Sequence, residues 1–429
     1  MLFIIDKTRN KCKLEFTKYF GDVFMDLQNL FEIQNKLLKK TVYRKKRYLY
    51  PIINWDLKSI GILGQRGVGK TTMMLQYIKA HYEKSDKVLY ISLDIPFFET
   101  ISLFEFAQEF EQYGGERLFI DEVHKYQNWS IHIKNIYDNL DLKVVFSGSS
   151  ILRITQQNAD LSRRSLIYQL ENLSFREYLS FTDTLDFEKI HLKRIIKDHV
   201  EIAGEICSQI KPLKSFRTYL SHGAYPFITE GSDTYHQKIT QIVNLILETD
   251  LPYINPIHMA QIKKLKKFIY LLAVNVPFIP NITDLANATQ ISRPKIYEYL
   301  NYLEVAKLIN SVKSKEKGYK ILSKPEKLYM QNTNISYALT SNIDIGAREA
   351  FFVNQIKNND ASQQKFLDET IFTSKKGDFF VNNQYTFEIG GKKKGYGQIK
   401  NMPDSYIASD NIEIGFKNKI PLWLFGFLY

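Results

Sequence analysis

Gly64-Gln65-Arg66-Gly67-Val68-Gly69-Lys70-Thr71 follows the apolar run Ser59 to Gly64 and leads into a helical pattern from Thr71 to Tyr82. An apolar strand, a glycine loop and a helix in that order make a phosphate cradle. The glycines leave backbone N–H groups free to close around phosphate oxygens, and the helix start adds its dipole. In the pattern G-x-x-x-x-G-K-[ST], Lys70 is expected to bridge the β and γ phosphates and Thr71 to give its hydroxyl to magnesium. The eight loop residues and the adjoining Thr72 therefore predict binding of a nucleoside triphosphate with Mg2+.

Further strands follow at the spacing of alternating strands and helices. Val88 to Leu93 and Arg117 to Asp121 are apolar runs separated by the amphipathic Ile101 to Gln112, and Leu142 to Phe146 comes after a helical stretch from Trp129 to Leu140. Such alternation predicts a parallel sheet flanked by helices, the α/β class of P-loop NTPases. The second strand of the site ends in Asp121-Glu122. Asp121 is expected to hold the hydrated magnesium, and Glu122 to orient or deprotonate the attacking water. Val144 to Ser150 is a strand whose end should lie beside the phosphate loop, placing Ser149 near the γ-phosphate. Ordinary turn formation by Ser147-Gly148-Ser149-Ser150 is the alternative reading. Arg163 and Arg164 come shortly afterwards, and Arg164 is the candidate for stabilising transition-state charge. No N-K-x-D segment follows, so ATP is preferred over a guanine nucleotide.

The 429 residues exceed what one core usually serves, which points to several domains. A net charge of +12 is compatible with nucleic-acid binding and equally with solubility. Cys12 and Cys207 suggest neither a disulfide framework nor a zinc site, and a reducing cytoplasm fits best. The apolar run Leu2 to Ile5 is too short for a secretory signal, and Ile420 to Tyr429 is half the length of a membrane span.

By pattern, residues 1–50 form a helical lead-in, 51–172 the nucleotide-binding core and 173–276 a helical lid or linker. Residues 277–325 read as a winged helix-turn-helix and 326–429 as a small α/β domain. The basic segment around Lys40, Arg44, Lys45 and Lys46 reads as a solvated helix end, with a phosphate-contacting patch as the alternative. Ile282 to Thr289, the cap Ser292 with Pro294, the helix Lys295 to Val305 and the strand-like Lys307 to Val312 give the helix-turn-helix order. Lys295, Tyr297, Tyr299 and Tyr302 lie on the helix that would enter a major groove.

The loop, Phe119-Ile120-Asp121-Glu122, Ser147 to Ser150 and Leu173-Ser174-Phe175-Arg176-Glu177-Tyr178-Leu179 together resemble prokaryotic AAA-type ATPases that carry an uncharacterised carboxyl-terminal domain. The stretch at Ser174 and the later His222-Gly223-Ala224-Tyr225-Pro226 are characteristic of that family, although neither has a chemistry legible in its residues. The resemblance implies a winged helix followed by a restriction-endonuclease-like end. Glu349, Asp378 and Glu388 match its acidic positions, whereas Gly390 occupies the lysine slot, with Lys392 two residues on. The departure implies a degenerate, inactive end. Double-stranded DNA and a protein are the two partner classes left open, as is assembly in which Arg163, Arg164 or Arg176 acts across subunits.

Overall fold

The computed structural model describes residues 27–41, 45–150, 152, 161–254, 258–315, 325–341, 346–359 and 370–429. The readings at Met1 to Asn10, Cys12 and Arg44 lie outside the described residues. Among the described residues no helix is long and apolar enough to cross a membrane.

The first sheet holds β1 (Ser59–Gly64), β2 (Val88–Ser92), β3 (Arg117–Asp121), β4 (Lys143–Ser149) and β5 (Leu166–Leu170), in the order β2-β3-β4-β1-β5. All its pairings are parallel. The strands are buried almost throughout, which explains their continuous apolar runs. The β5 strand was not anticipated: its five residues start at the exposed Leu166 and carry too little periodicity to stand out. Its pairing to β1 makes β1 a central strand.

Helices cover both faces. On one, α1 (residues 27–40), α3 (Leu103–Gln112) and α4 (Trp129–Asn139) pack Leu27, Phe106, Trp129 and Ile133 against Leu118 and Phe146. On the other, α2 (Lys70–Tyr82) packs Met73, Met74 and Ile78 against Ile60, Ile62 and Val145. The Gln34 amide of α1 accepts from Tyr90 N at 2.6 Å and donates to Val88 O at 3.3 Å. It thereby satisfies part of the edge that β2 would otherwise leave open.

Beyond β5 the chain is helical: α5 (Phe175–Phe181), α6 (Leu192–Gln209), α7 (Pro212–His222), α8 (Tyr235–Leu245) and α9 (Met259–Val274). A π turn, Ile246–Asp250, continues α8 into Leu251–Ile254. Then come α10 (Ile282–Thr289), α11 (Arg293–Val305) and the antiparallel pair β6 (Ile309–Val312) and β7 (Lys327–Met330). The last part holds α12 (Thr333–Thr340), α13 (Ala347–Asn359) and a second sheet. Its strands are β8 (Ile371–Thr373), β9 (Phe379–Val381), β10 (Tyr385–Gly390), β11 (Ser405–Ser409) and β12 (Lys419–Pro421), adjacent in sequence order.

Packing groups these elements differently from sequence position. Phe175, Ile195, Ile206 and Phe216 of α5 to α7 share one core with Phe352, Phe387 and Phe425 of the terminal domain. Tyr235, Val243 and Phe268 of α8 and α9 share another with Ile296, Leu300 and Leu303 of α11. The helical stretch is thus divided between two bodies, both of which touch the nucleotide-binding core.

Arg47 closes the seam. Its side chain is 4% exposed and reaches Glu177 at 3.0 and 3.2 Å, Glu171 O at 2.6 Å and Val68 O of the phosphate loop. Glu177 in turn forms a capping box with Ser174, which accounts for the serine and the glutamate of that stretch. Ser174 Oγ donates to the Tyr429 main-chain oxygen at 2.7 Å and Arg176 Nε to the same oxygen at 2.9 Å. Removing one member of a buried pair strands the other. Arg47→Met and Glu177→Met are each expected to lower stability in urea unfolding by roughly 3–5 kcal/mol, with the double variant losing less than the sum.

Candidate functional site

The loop after β1 closes through two glycines at positive φ, Gly67 at 80° and Gly69 at 95°. There any side chain would be strained. A Cβ on Gly67 would also come within 2.8 Å of Ile242 and 3.2 Å of Phe227, so helical-module side chains lie directly on the loop. Lys70 is buried, its Nζ donating to Gly64 O at 2.9 Å and Gln65 O at 3.1 Å. Burial pulls its ammonium below the ordinary lysine value, opposed by the Glu122 and Asp121 carboxylates.

Thr71 Oγ1 donates to Asp121 Oδ2 at 2.6 Å. Two further donors hold that carboxylate: Tyr90 OH at 2.8 Å from the neighbouring strand, and Ser147 Oγ from β4. Burial and the Asp121 charge push the Tyr90 phenol up, so it remains a donor. Thr71 and Asp121 thus meet at one point, the donor set a hydrated divalent cation takes. Glu122 follows in the left-handed region at φ 56°, which costs a non-glycine residue roughly 1–2 kcal/mol. Such strain is typical of functional positions. Burial raises its carboxyl above the usual value, opposed by Lys70.

Lys70, Thr71 and Glu122 face a cavity of about 930 Å³, with Asp121 bonded to Thr71. Arg66, Gly67, Gly69, Lys70, Thr71, Thr72 and Glu122 form one side of it; Lys40, Lys45, Phe181 and Phe227 form others. Lys40 and Lys45, read as a solvated helix end, thus line the cavity. Lys45 is engaged by Asp183 and Asp186 at 3.2 and 3.0 Å.

The rest of the loop is gripped from outside the core. Gln65 Oε1 accepts from Tyr225 OH at 2.9 Å and Asn172 Nδ2 at 3.3 Å, while its amide donates to Lys307 O at 2.8 Å. Tyr225 belongs to the second family-like stretch, which therefore acts by holding the loop. Arg66 forms a bidentate pair with Asp250 of the π turn, Nη2 to Oδ1 at 2.9 Å and Nε to Oδ2 at 3.0 Å. Ser149 Oγ donates to the same Asp250 at 3.3 Å, so Ser149 touches the helical module. Arg164 pairs with Asp138 of α4 at 2.8 Å and is absent from the cavity lining. Tyr90, His124 and Asp250 were missed in the sequence, and Tyr225 was singled out there without a role, since each is brought to the site by a different element. Only His124, two residues after Glu122, stood close enough to be noticed.

In the terminal domain Glu349, Asp378 and Glu388 come together around two lysines. Lys327 Nζ lies 3.0 Å from Glu349 and 3.7 Å from Asp378, and Ile389 N donates to Asp378 at 2.8 Å. The lysine that meets Glu388 is Lys394 rather than Lys392. It lies over Gly390, where an added Cβ would come within 2.6 Å of it. Burial raises both the Asp378 and Glu388 carboxyls. Among the described residues no group of three or more His, Cys, Asp or Glu gathers into a metal-holding cluster.

On α11, Tyr297 is exposed, but Tyr299 is 2% exposed and belongs to the core, not to a groove-facing surface. Lys295 and Tyr302 both bond Glu298, at 2.8 and 2.9 Å.

Residues 56–179 match the family model described as an AAA domain, and residues 213–345 one described as a domain of unknown function. Two uncharacterized proteins of Methanocaldococcus jannaschii are similar along most of the chain. One is 25% identical over 420 residues, covering 90% of this chain and 88% of its own length; the other is 24% identical over 347 residues, covering 78% and 70%. Among solved structures, a Walker-type ATPase of Pyrococcus abyssi covers 66% of this chain and 91% of its own at 13% identity and a TM-score of 0.38. AMPPCP-bound DnaA from Aquifex aeolicus covers 63% and 86% at 14% identity and 0.27. The loop and the parallel sheet give residues 56–179 the fold of P-loop NTPases, and the same residues are those that match the AAA domain.

Burial holds the His124 imidazole at about 4. An unfolded imidazole titrates near about 6.5, so the unfolded chain takes up a proton that the folded one refuses. Stability from this group is complete above that value and is lost as pH falls from about 6.5 through about 4. The thermal midpoint is expected to drop over this interval, and His124→Asn to remove part of the drop.

Proposed function

We propose that the chain hydrolyses ATP with Mg2+ and that the phosphate state of the nucleotide repositions the α10–α11 unit and the terminal domain, each with the helices that share its core. The observation that carries the reading is that Lys70, Thr71 and Glu122 line one cavity, with Asp121 bonded to Thr71, under a loop whose side chains Gln65 and Arg66 are bonded to segments outside the first sheet. Thr71 and Asp121 would hold magnesium, which when bound supplies neutralisation of phosphate charge. Lys70 would bind the β and γ phosphates, and Glu122, its carboxyl raised by burial, would take a proton from the attacking water. Losing the γ-phosphate changes the charge that Lys70 and Arg66 face, and their partners are the switch.

Lys70→Ala is expected to abolish binding of a fluorescent ATP analogue; retained affinity would overturn the site. Glu122→Gln is expected to keep binding and lose phosphate release by about 100-fold or more. Running the same assay with double-stranded DNA separates the partner classes: stimulation marks a DNA-coupled ATPase, and indifference a protein partner. For the terminal domain we infer a structural role, because Lys327 and Lys394 already neutralise the carboxylates a divalent ion would need. Plasmid DNA is expected to stay intact with Mg2+ or Mn2+, and nicking abolished by Asp378→Ala would overturn that assignment.

A further inference from the structure

His124 stands between Glu122 and the helical module. Its Nδ1 lies 3.2 Å from Glu122 Oε2, and its Nε2 lies 3.2 Å from Arg66 Nη2. A guanidinium has only donors, so at that contact Nε2 must accept. A neutral imidazole that accepts at Nε2 carries its hydrogen on Nδ1, the nitrogen beside the Glu122 carboxylate. Burial keeps the ring neutral. The charged groups facing it are Glu122, Arg66, Asp250, Lys70 and Lys125.

Arg66 does not choose its own position. It is clamped by Asp250, whose carboxylate is fully buried in the π turn and also accepts from Ser149 at the end of β4. Asp250 Oδ1 lies 3.9 Å from His124 Nε2. A chain of contacts therefore runs from the helical module through Asp250, Arg66 and His124 to Glu122, joining the π turn, the phosphate loop and the turn after β3. The 3.2 Å contact at Glu122 falls short of an aligned hydrogen bond, the usual condition of a catalytic contact before substrate tightens it.

We propose that His124 is a positioning residue for Glu122, and that Asp250, acting through Arg66, imposes the Nδ1–H tautomer that lets it be one. The inference rests on the reading of Glu122 as the general base. Its consequence is that Glu122 is aimed only while the helical module keeps Asp250 on Arg66, so that module position and hydrolysis are coupled. Arg66 also belongs to the phosphate loop, so nucleotide can act on the same chain from its other end.

Two measurements test this on the full chain. In histidine-labelled protein, two-bond 1H–15N spectra report the tautomer of each ring, with His124→Asn identifying the signal. The expected result is Nδ1–H for His124, reverting to the commoner Nε2–H in Asp250→Asn; an Nε2–H ring in the wild type overturns the proposal. In turnover with Mg-ATP, His124→Phe is expected to lower kcat about tenfold or more, as loss of an orienting partner does elsewhere, with nucleotide affinity unchanged. His124→Asn, which keeps a donor near the Nδ1 position, should recover most of the loss. Unchanged kcat in His124→Phe, or equal losses in Phe and Asn variants, overturns the positioning role. Undiminished turnover in Glu122→Gln instead removes the general-base assignment, and the tautomer spectra still decide whether Asp250 sets the ring.

Discussion

The structure hangs on a buried guanidinium. Arg47 reaches the phosphate loop at Val68, the end of β5 at Glu171 and the start of α5 at Glu177, three places where the chain changes direction. Charge at such depth is costly unless the guanidinium N–H groups find acceptors. Here the cost is offset by two carbonyls and a bidentate carboxylate, and the geometry that satisfies them is also the one that closes the loop. Because Glu177 caps α5 while its neighbours Ser174 and Arg176 hold Tyr429, the terminal domain is seated by the same few residues.

Around the loop the pattern repeats: side chains of the nucleotide-binding domain find partners outside it. Gln65 is bonded to Tyr225 and to Lys307 O, and Arg66 to Asp250. A loop that is hydrogen-bonded to three other segments cannot change shape alone. These are rigid links of short range between the loop and bodies with their own cores.

In the terminal domain three carboxylates are each met by a lysine. With glycine at 390, no side chain can stand over Glu388 from its own strand, and Lys394 folds back to occupy the space. Lys327 does the same for Glu349 and Asp378 from β7. These carboxylates are held by the protein's own ammonium groups.

By itself the sequence determined the parts whose signal is local. The bounds of β1 and β3, the place of Gly64 to Thr71 between a strand and a helix, and the position of Asp121 and Glu122 at a strand's end were legible, because a strand, glycines and a helix in succession permit few other readings. So were α10 and α11, from the residues that begin them, and the mixed α/β class. The tertiary structure alone decided what depends on distant segments meeting. It brought Tyr90 and Ser147 to Asp121, Asp250 to Arg66 and Tyr225 to Gln65, turned Tyr299 into the core, and placed Arg164 on Asp138. It also revealed β5, whose five residues acquire strand character from pairing with β1 rather than from their own pattern. Periodicity reports which face of an element is buried, but hydrogen-bond partners 26 to 184 residues apart leave no periodic trace, and a carboxylate such as Asp250 becomes informative only beside the guanidinium it clamps.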